Sequence, residues 1–125
     1  MEKSEEIEKL LELIQKQQDP QPLIIVEGKN DKIALQNLSF EHIITLEKKP
    51  LYKVVDAVIK INSRTLILTD LDKEGKQLYG KLNHQLQQHG IKVDNQLRNF
   101  LFKNTQLRQI EGLSSYIARK QIKSN

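Results

Sequence analysis

The chain contains no cysteine and no tryptophan, and only three prolines, five glycines and one methionine. Without cysteine there is no disulfide framework, no thiolate nucleophile and no Cys-ligated zinc, and the cytoplasm is the expected compartment. His42 and His84 have no Cys at ligand spacing, which argues further against zinc. No apolar run approaches the roughly 20 residues of a membrane span. The opening MEKSEEIEKL also lacks the basic start and apolar stretch of a signal peptide. Aromatics make up only 5% of the residues, so Phe40 and Phe100 are assigned to core packing. Phe102 is the exception, being out of helical phase with Leu97 and Leu101.

What is present fits one ordinary globular domain over residues 1–125: 38% hydrophobic and 29% charged residues, with a net charge of +4. The charge is unevenly spread. Residues 1–22 carry three lysines against six acids, residues 23–75 carry eight of each sign, and residues 76–125 carry nine Lys or Arg against Asp94 and Glu111. A basic C-terminal half points to a polyanionic partner, the bland alternative being a solvated basic face.

Ile7, Leu10, Leu11 and Ile14 fall on one face of a helix expected over about 4–18, with Ser4 as N-cap and a stop before Asp19-Pro20-Gln21-Pro22. That face is expected to dock on the sheet or to serve a protein partner or homodimer. LIIV (23–26) and TLILT (65–69) read as strands buried on both faces, and IITL (43–46) and IKV (91–93) as two more. Helices are expected over 31–38, after Pro50, over about 75–89, from Asp94 through Leu101, and from Ser114 or Ser115 to about Gln121. Strands alternating with helices predict an α/β fold, a mostly parallel sheet of about four strands flanked by helices. The core spans about 22–93, and a helical C-terminal extension over about 94–123 is the segment most readily set apart.

Sites in open α/β sheets form at the carboxyl ends of strands, and two strands here end in acids: LIIV-Glu27-Gly28-Lys29 and TLILT-Asp70-Leu71-Asp72-Lys73-Glu74-Gly75. Asp70 and Asp72, two apart, share a face if the extended geometry persists, and Glu27 meets them across the crevice. Clustered carboxylates repel unless a cation neutralises them, and all-oxygen ligation suits Mg²⁺ or Mn²⁺. Helix N-capping by Asp72 or Glu74 accounts for one acid but not for three on two strand ends. An EF-hand loop fails because Lys81 stands where a bidentate Glu is needed. A haloacid dehalogenase-type phosphatase fails because, after Glu74, only Asp94 and Glu111 remain, isolated in the sequence. Gly28-Lys29 is no P-loop, since GxxxxGK[ST] is absent.

LIIVEGKND followed some forty residues later by LILTDLDKEG resembles the Toprim domain of topoisomerases, primases, OLD-family nucleases and the 5S rRNA maturation nuclease. The likeness covers roughly residues 22–93, and the short length and the tail IKVDNQLRNFLFKN…QIEGLSSYI resemble the small stand-alone Toprim proteins of archaea. The resemblance implies that Glu27 is a general acid/base and metal ligand, and that Asp70 and Asp72 bind Mg²⁺. It implies that Glu74 is the additional acid found in type IA topoisomerases. Lys76 stands where those enzymes carry another Glu, a departure from their metal arrangement. Lys29 and Lys73, beside the acids, are candidates for phosphate contact, and Lys76, Arg98 and Lys103 in the basic half for nucleic-acid contact. Two functions follow as expectations: a Mg²⁺-dependent phosphodiesterase acting on RNA or DNA, or a non-catalytic module that binds metal and nucleic acid within a larger complex. Topoisomerase or primase chemistry ranks below both. Tyr52, Tyr79 and Tyr116 lie on helix patterns suited to packing, and no further nucleotide-binding region is present.

Overall fold

A computed structural model describes the backbone of residues 3–124 and the side chains of residues 5–121. The expected Ser4 cap lies outside the described side chains. The elements run α1 (Lys3–Lys16), β1 (Leu23–Val26), α2 (Lys29–Gln36), β2 (Ile43–Thr45), α3 (Leu51–Ile61), β3 (Thr65–Ile67), α4 (Lys73–Gln88) and α5 (Gln96–Asn104). A 3-10 turn (Ile110–Gly112) then leads into α6 (Leu113–Ser124).

The three strands form one parallel sheet in the order β2-β1-β3, with Ile24 opposite both Ile43 and Leu66. Side chains alternate between its faces, as the two-residue repeat of a strand requires. Ile24, Val26, Leu66 and Leu68 join Ile7, Leu10, Leu35, Leu97 and Leu113 in one core. Leu23, Ile25 and Ile67 join Val54, Val58, Leu82 and Leu86 in another. Thus α1, α2, α5 and α6 cover one face, and α3 and α4 the other. The continuous apolar runs of β1 and β3 exist because both faces are dry. The apolar stripe of α1 docks on this structure, packing against α5 and α6.

The sheet has three strands, not the expected four. Residues 91–93 supply a single parallel bridge, Val93 to Thr65. Thr65 N–H donates to the Lys92 carbonyl, and the Asp94 N–H donates to the Thr65 carbonyl, before the chain turns away into α5. Farther along β3 the place of a fourth strand is taken by a side chain. The Arg98 guanidinium donates to the carbonyls of Ile67, Thr69 and Asp70. Asp94 accepts the Gln96 N–H at the start of α5, as a cap would, and also pairs with Arg64 at 3.3 Å.

From β1 the chain passes into α2 on one face, and from β3 into α4 on the other. The loops leaving these neighbouring strands therefore diverge, opening a crevice at their carboxyl ends, the topological switch point of an α/β sheet.

Candidate functional site

Glu27 follows β1 and Asp70 lies just beyond β3, so the two reach the switch point from adjacent strands. Glu27 Oε2 accepts the Asp70 N–H at 2.7 Å. Asp70 Oδ1 in turn accepts the Ile110 N–H at 2.9 Å. Asp72 is the N-cap of α4, its Oδ1 accepting from Gly75 N–H at 2.8 Å. The helix-cap role weighed for Asp72 is therefore real, and it engages one of the two carboxylate oxygens. Gly75 is required where it sits: a Cβ there would lie 1.9 Å from the Asp70 carbonyl oxygen. Its own carbonyl accepts the Thr69 hydroxyl, so the loop is held closed at both ends.

Three further carboxylates line the crevice with Glu27 and Asp70: Asp31, Glu47 and Glu111. Asp31, only 7% exposed, accepts the Gly28 N–H at 2.9 Å in the first turn of α2. Glu47 Oε2 accepts the Lys29 N–H. Glu111 rides on the 3-10 turn, close enough to repel both Asp31 and Asp70. Burial is the main cause that raises the pKa of Glu27, Asp31 and Asp70 above the ordinary carboxylate range, and their mutual repulsion adds to it. Main-chain N–H donors to each pull the other way, as does Arg98 on Asp70. None of these carboxylates is in an ion pair among the described residues, where the pairs are Lys9–Glu12 and Arg64–Asp94.

Among the described residues, no three Asp, Glu or His side chains meet closely enough to share a metal ion as they stand. Each of Glu27, Asp70 and Asp72 is tethered through one oxygen to a main-chain amide, and the other oxygen is left outside that bond. Glu74 is exposed on the first turn of α4 and does not line the crevice.

The expected phosphate contacts divide. Lys29 is exposed and lines the crevice at the start of α2. Lys73 and Lys76 are exposed on the first turn of α4, and Lys103 on the last turn of α5. Arg98 is a correction. It is 6% exposed, committed to three carbonyls, and stacked 4.6 Å from the Tyr79 ring centroid, so it is not a surface contact for nucleic acid. Burial pulls its pKa down, while Tyr79, Glu27 and Asp70 hold it up.

The C-terminal extension is not an appendage to this site. The Arg108 carbonyl accepts the Leu71 N–H at 2.7 Å, and with the Ile110–Asp70 bond it stitches residues 108–110 to the acid loop. Glu111, set aside as isolated in the sequence, arrives by this route. Local spacing carried no signal for it, because it comes from a turn some forty residues downstream. Asp31 was more accessible to reading: it sits at the third position of a helix opened by Gly28, where an acid accepts the capping N–H.

No protein-family model matches the chain. Its sequence is similar to a UPF0292 protein of Methanocaldococcus jannaschii, 35% identical over 126 residues that span 96% of this chain and 98% of that one. A UPF0292 protein of Methanosarcina barkeri is 29% identical over 123 residues, 96% of this chain and 86% of its own. One of Thermococcus gammatolerans is 37% identical over 100 residues, 78% of this chain and 74% of its own. Among solved structures, a protein from Aquifex aeolicus matches with a TM-score of 0.68 at 35% identity, covering 86% of this chain and 94% of that one.

Proposed function

The chain belongs to the UPF0292 family, and on the geometry of its crevice we propose that it is a Toprim-type, Mg²⁺-dependent phosphodiesterase acting on RNA or DNA. The observation that carries the proposal is the meeting of Glu27 and Asp70 across the switch point, with Asp31, Asp72 and Glu111 beside them. Glu27, Asp31 and Asp70, partly buried or buried, mutually repelling and raised in pKa, are the kind of donors that a hard divalent cation relieves. Glu27, Asp70 and Asp72 would hold it, with Asp31 and Glu111 in reserve. Such a cation supplies Lewis-acid stabilisation of charge on a scissile phosphate.

The protein's own groups do the rest. Glu27, whose pKa burial raises in the metal-free protein and Asp70, Asp72 and Asp31 raise further, is the carboxylate placed to move a proton. The Glu27–Asp70 hydrogen bond fixes which carboxylate oxygen faces the crevice. Lys29, at its edge, is a cation for an incoming phosphate.

The test is incubation with labelled single- and double-stranded DNA and RNA, with Mg²⁺ or Mn²⁺ and with chelator. Cleavage that needs the metal and falls by roughly 10²–10⁴-fold in Glu27→Gln supports the reading. Cleavage undiminished in that variant would point to another mechanism. A second reading is a module that binds metal and nucleic acid without turnover. What favours it is the main-chain tethering of Glu27, Asp70 and Asp72. It predicts binding to the same substrates with no cleavage under any condition.

A further inference from the structure

Phe102 is 43% exposed on α5, whose other apolar residues Leu97, Phe100 and Leu101 are buried. Two cations attend its ring: Lys76 Nζ lies 4.3 Å from the centroid, and the Arg108 guanidinium 5.5 Å. Arg108 is held in place by donating to the carbonyls of Thr105 and Leu107. It also walls a cavity of about 600 Å³ together with Asp72, Tyr116 and Arg119. The Arg108 carbonyl is bonded to Leu71, between Asp70 and Asp72. The aromatic ring, the basic cavity and the acids are thus contiguous.

We propose that this surface is a single-strand path: a nucleobase stacks on Phe102, phosphates on either side lie on Lys76 and Arg108, and the strand continues through the cavity to the acids. The proposal rests on the reading of nucleic acid as substrate and names its strand state. An aromatic face reaches a base only when that base is free of a duplex stack. The cations now over the ring are no obstacle. A base stacked on the ring takes the place of the two cations, which move to the phosphates on either side of it and keep an anionic partner there.

The experiment is fluorescence anisotropy of labelled oligo-dT and oligo-U against a duplex of equal length, at low salt and with chelator present, so that neither metal nor turnover enters. Single strands should bind more tightly than duplex. Phe102→Ala should weaken single-strand binding about tenfold with duplex binding unchanged. Phe102→Leu should behave like the alanine variant, and Phe102→Trp should restore affinity. Arg108→Gln should reduce the slope of log K against log salt by about 0.7. Far-UV circular dichroism checks that the variants are folded. Parent-like single-strand affinity in folded Phe102→Ala and Phe102→Leu overturns the path, as does equal affinity for duplex. Either result leaves the phosphodiesterase reading standing, because no metal is present. Metal-dependent cleavage absent while the binding pattern holds sinks that reading and leaves the path intact. A parent that binds no nucleic acid overturns the path and leaves the phosphodiesterase reading to the cleavage assay with metal.

Discussion

Asp70 is engaged on both sides, its amide donating to Glu27 and its carboxylate accepting from Ile110, within a group of carboxylates that burial and mutual repulsion disfavour in the ionised form. A carboxyl whose pKa is raised on folding binds its proton more tightly in the folded state. Its ionisation therefore removes stability as pH rises from the ordinary carboxylate value, roughly 4, through the raised one. Asn at position 70 keeps an oxygen for the Ile110 amide and removes the charge. Without metal, Asp70→Asn should unfold at a higher temperature than the parent near pH 7, and the gap should close as pH falls toward roughly 4. Thermal melts of the two proteins across that range check it; a gap that widens on acidification contradicts it. Gly75 gives a second prediction at this scale. Because a Cβ there would overlap the Asp70 backbone, Gly75→Ala should destabilise by about 1–3 kcal/mol in urea unfolding. Asp70, Asp72 and Glu27 were legible in the sequence because each sits at or near the end of an apolar strand run. The need for Gly75 was not, since it comes from a backbone approach that no residue pattern encodes.

At the level of elements, β1 and β3 declared themselves through uninterrupted β-branched and leucine runs, which only a sheet buried on both faces can house. The run IKV read the same way but became one bridge, because the edge beyond it is completed by Arg98 rather than by more strand. The sequence places Arg98 between Leu97 and the buried Phe100 and Leu101, yet its charge argues for solvent. Only the three carbonyls it meets make burial favourable. Replacing it with Met should leave those carbonyls short of donors and destabilise the fold by on the order of 3 kcal/mol. Lys103→Met, on an exposed last turn, should change stability by less than roughly 0.5 kcal/mol. Chemical denaturation of the pair separates a structural arginine from a surface lysine; equal effects would contradict the assignment. The same element explains why the extension could not be detached by inspection. It contributes Ile110 and Glu111 to the crevice through contacts far apart in the chain.

For the molecule as a whole, the separation of charge visible in the sequence has a spatial counterpart: carboxylates gather at the carboxyl end of the sheet, and the cavity beside them carries Arg108 and Arg119. A negative centre next to a positive track is the arrangement expected where a polyanion is held beside bound cations. On the proposed reading, the centre itself should take a divalent cation. The most direct test is calorimetric titration of Mg²⁺ into the parent and into the double variant Asp70→Asn, Asp72→Asn, both keeping oxygens for the Ile110 and Gly75 amides. The expected result is saturable binding to the parent, with a rise in its unfolding temperature, and neither in the double variant. Equal binding by the two proteins, or no binding by the parent, would contradict the placement of a metal centre at Glu27, Asp70 and Asp72.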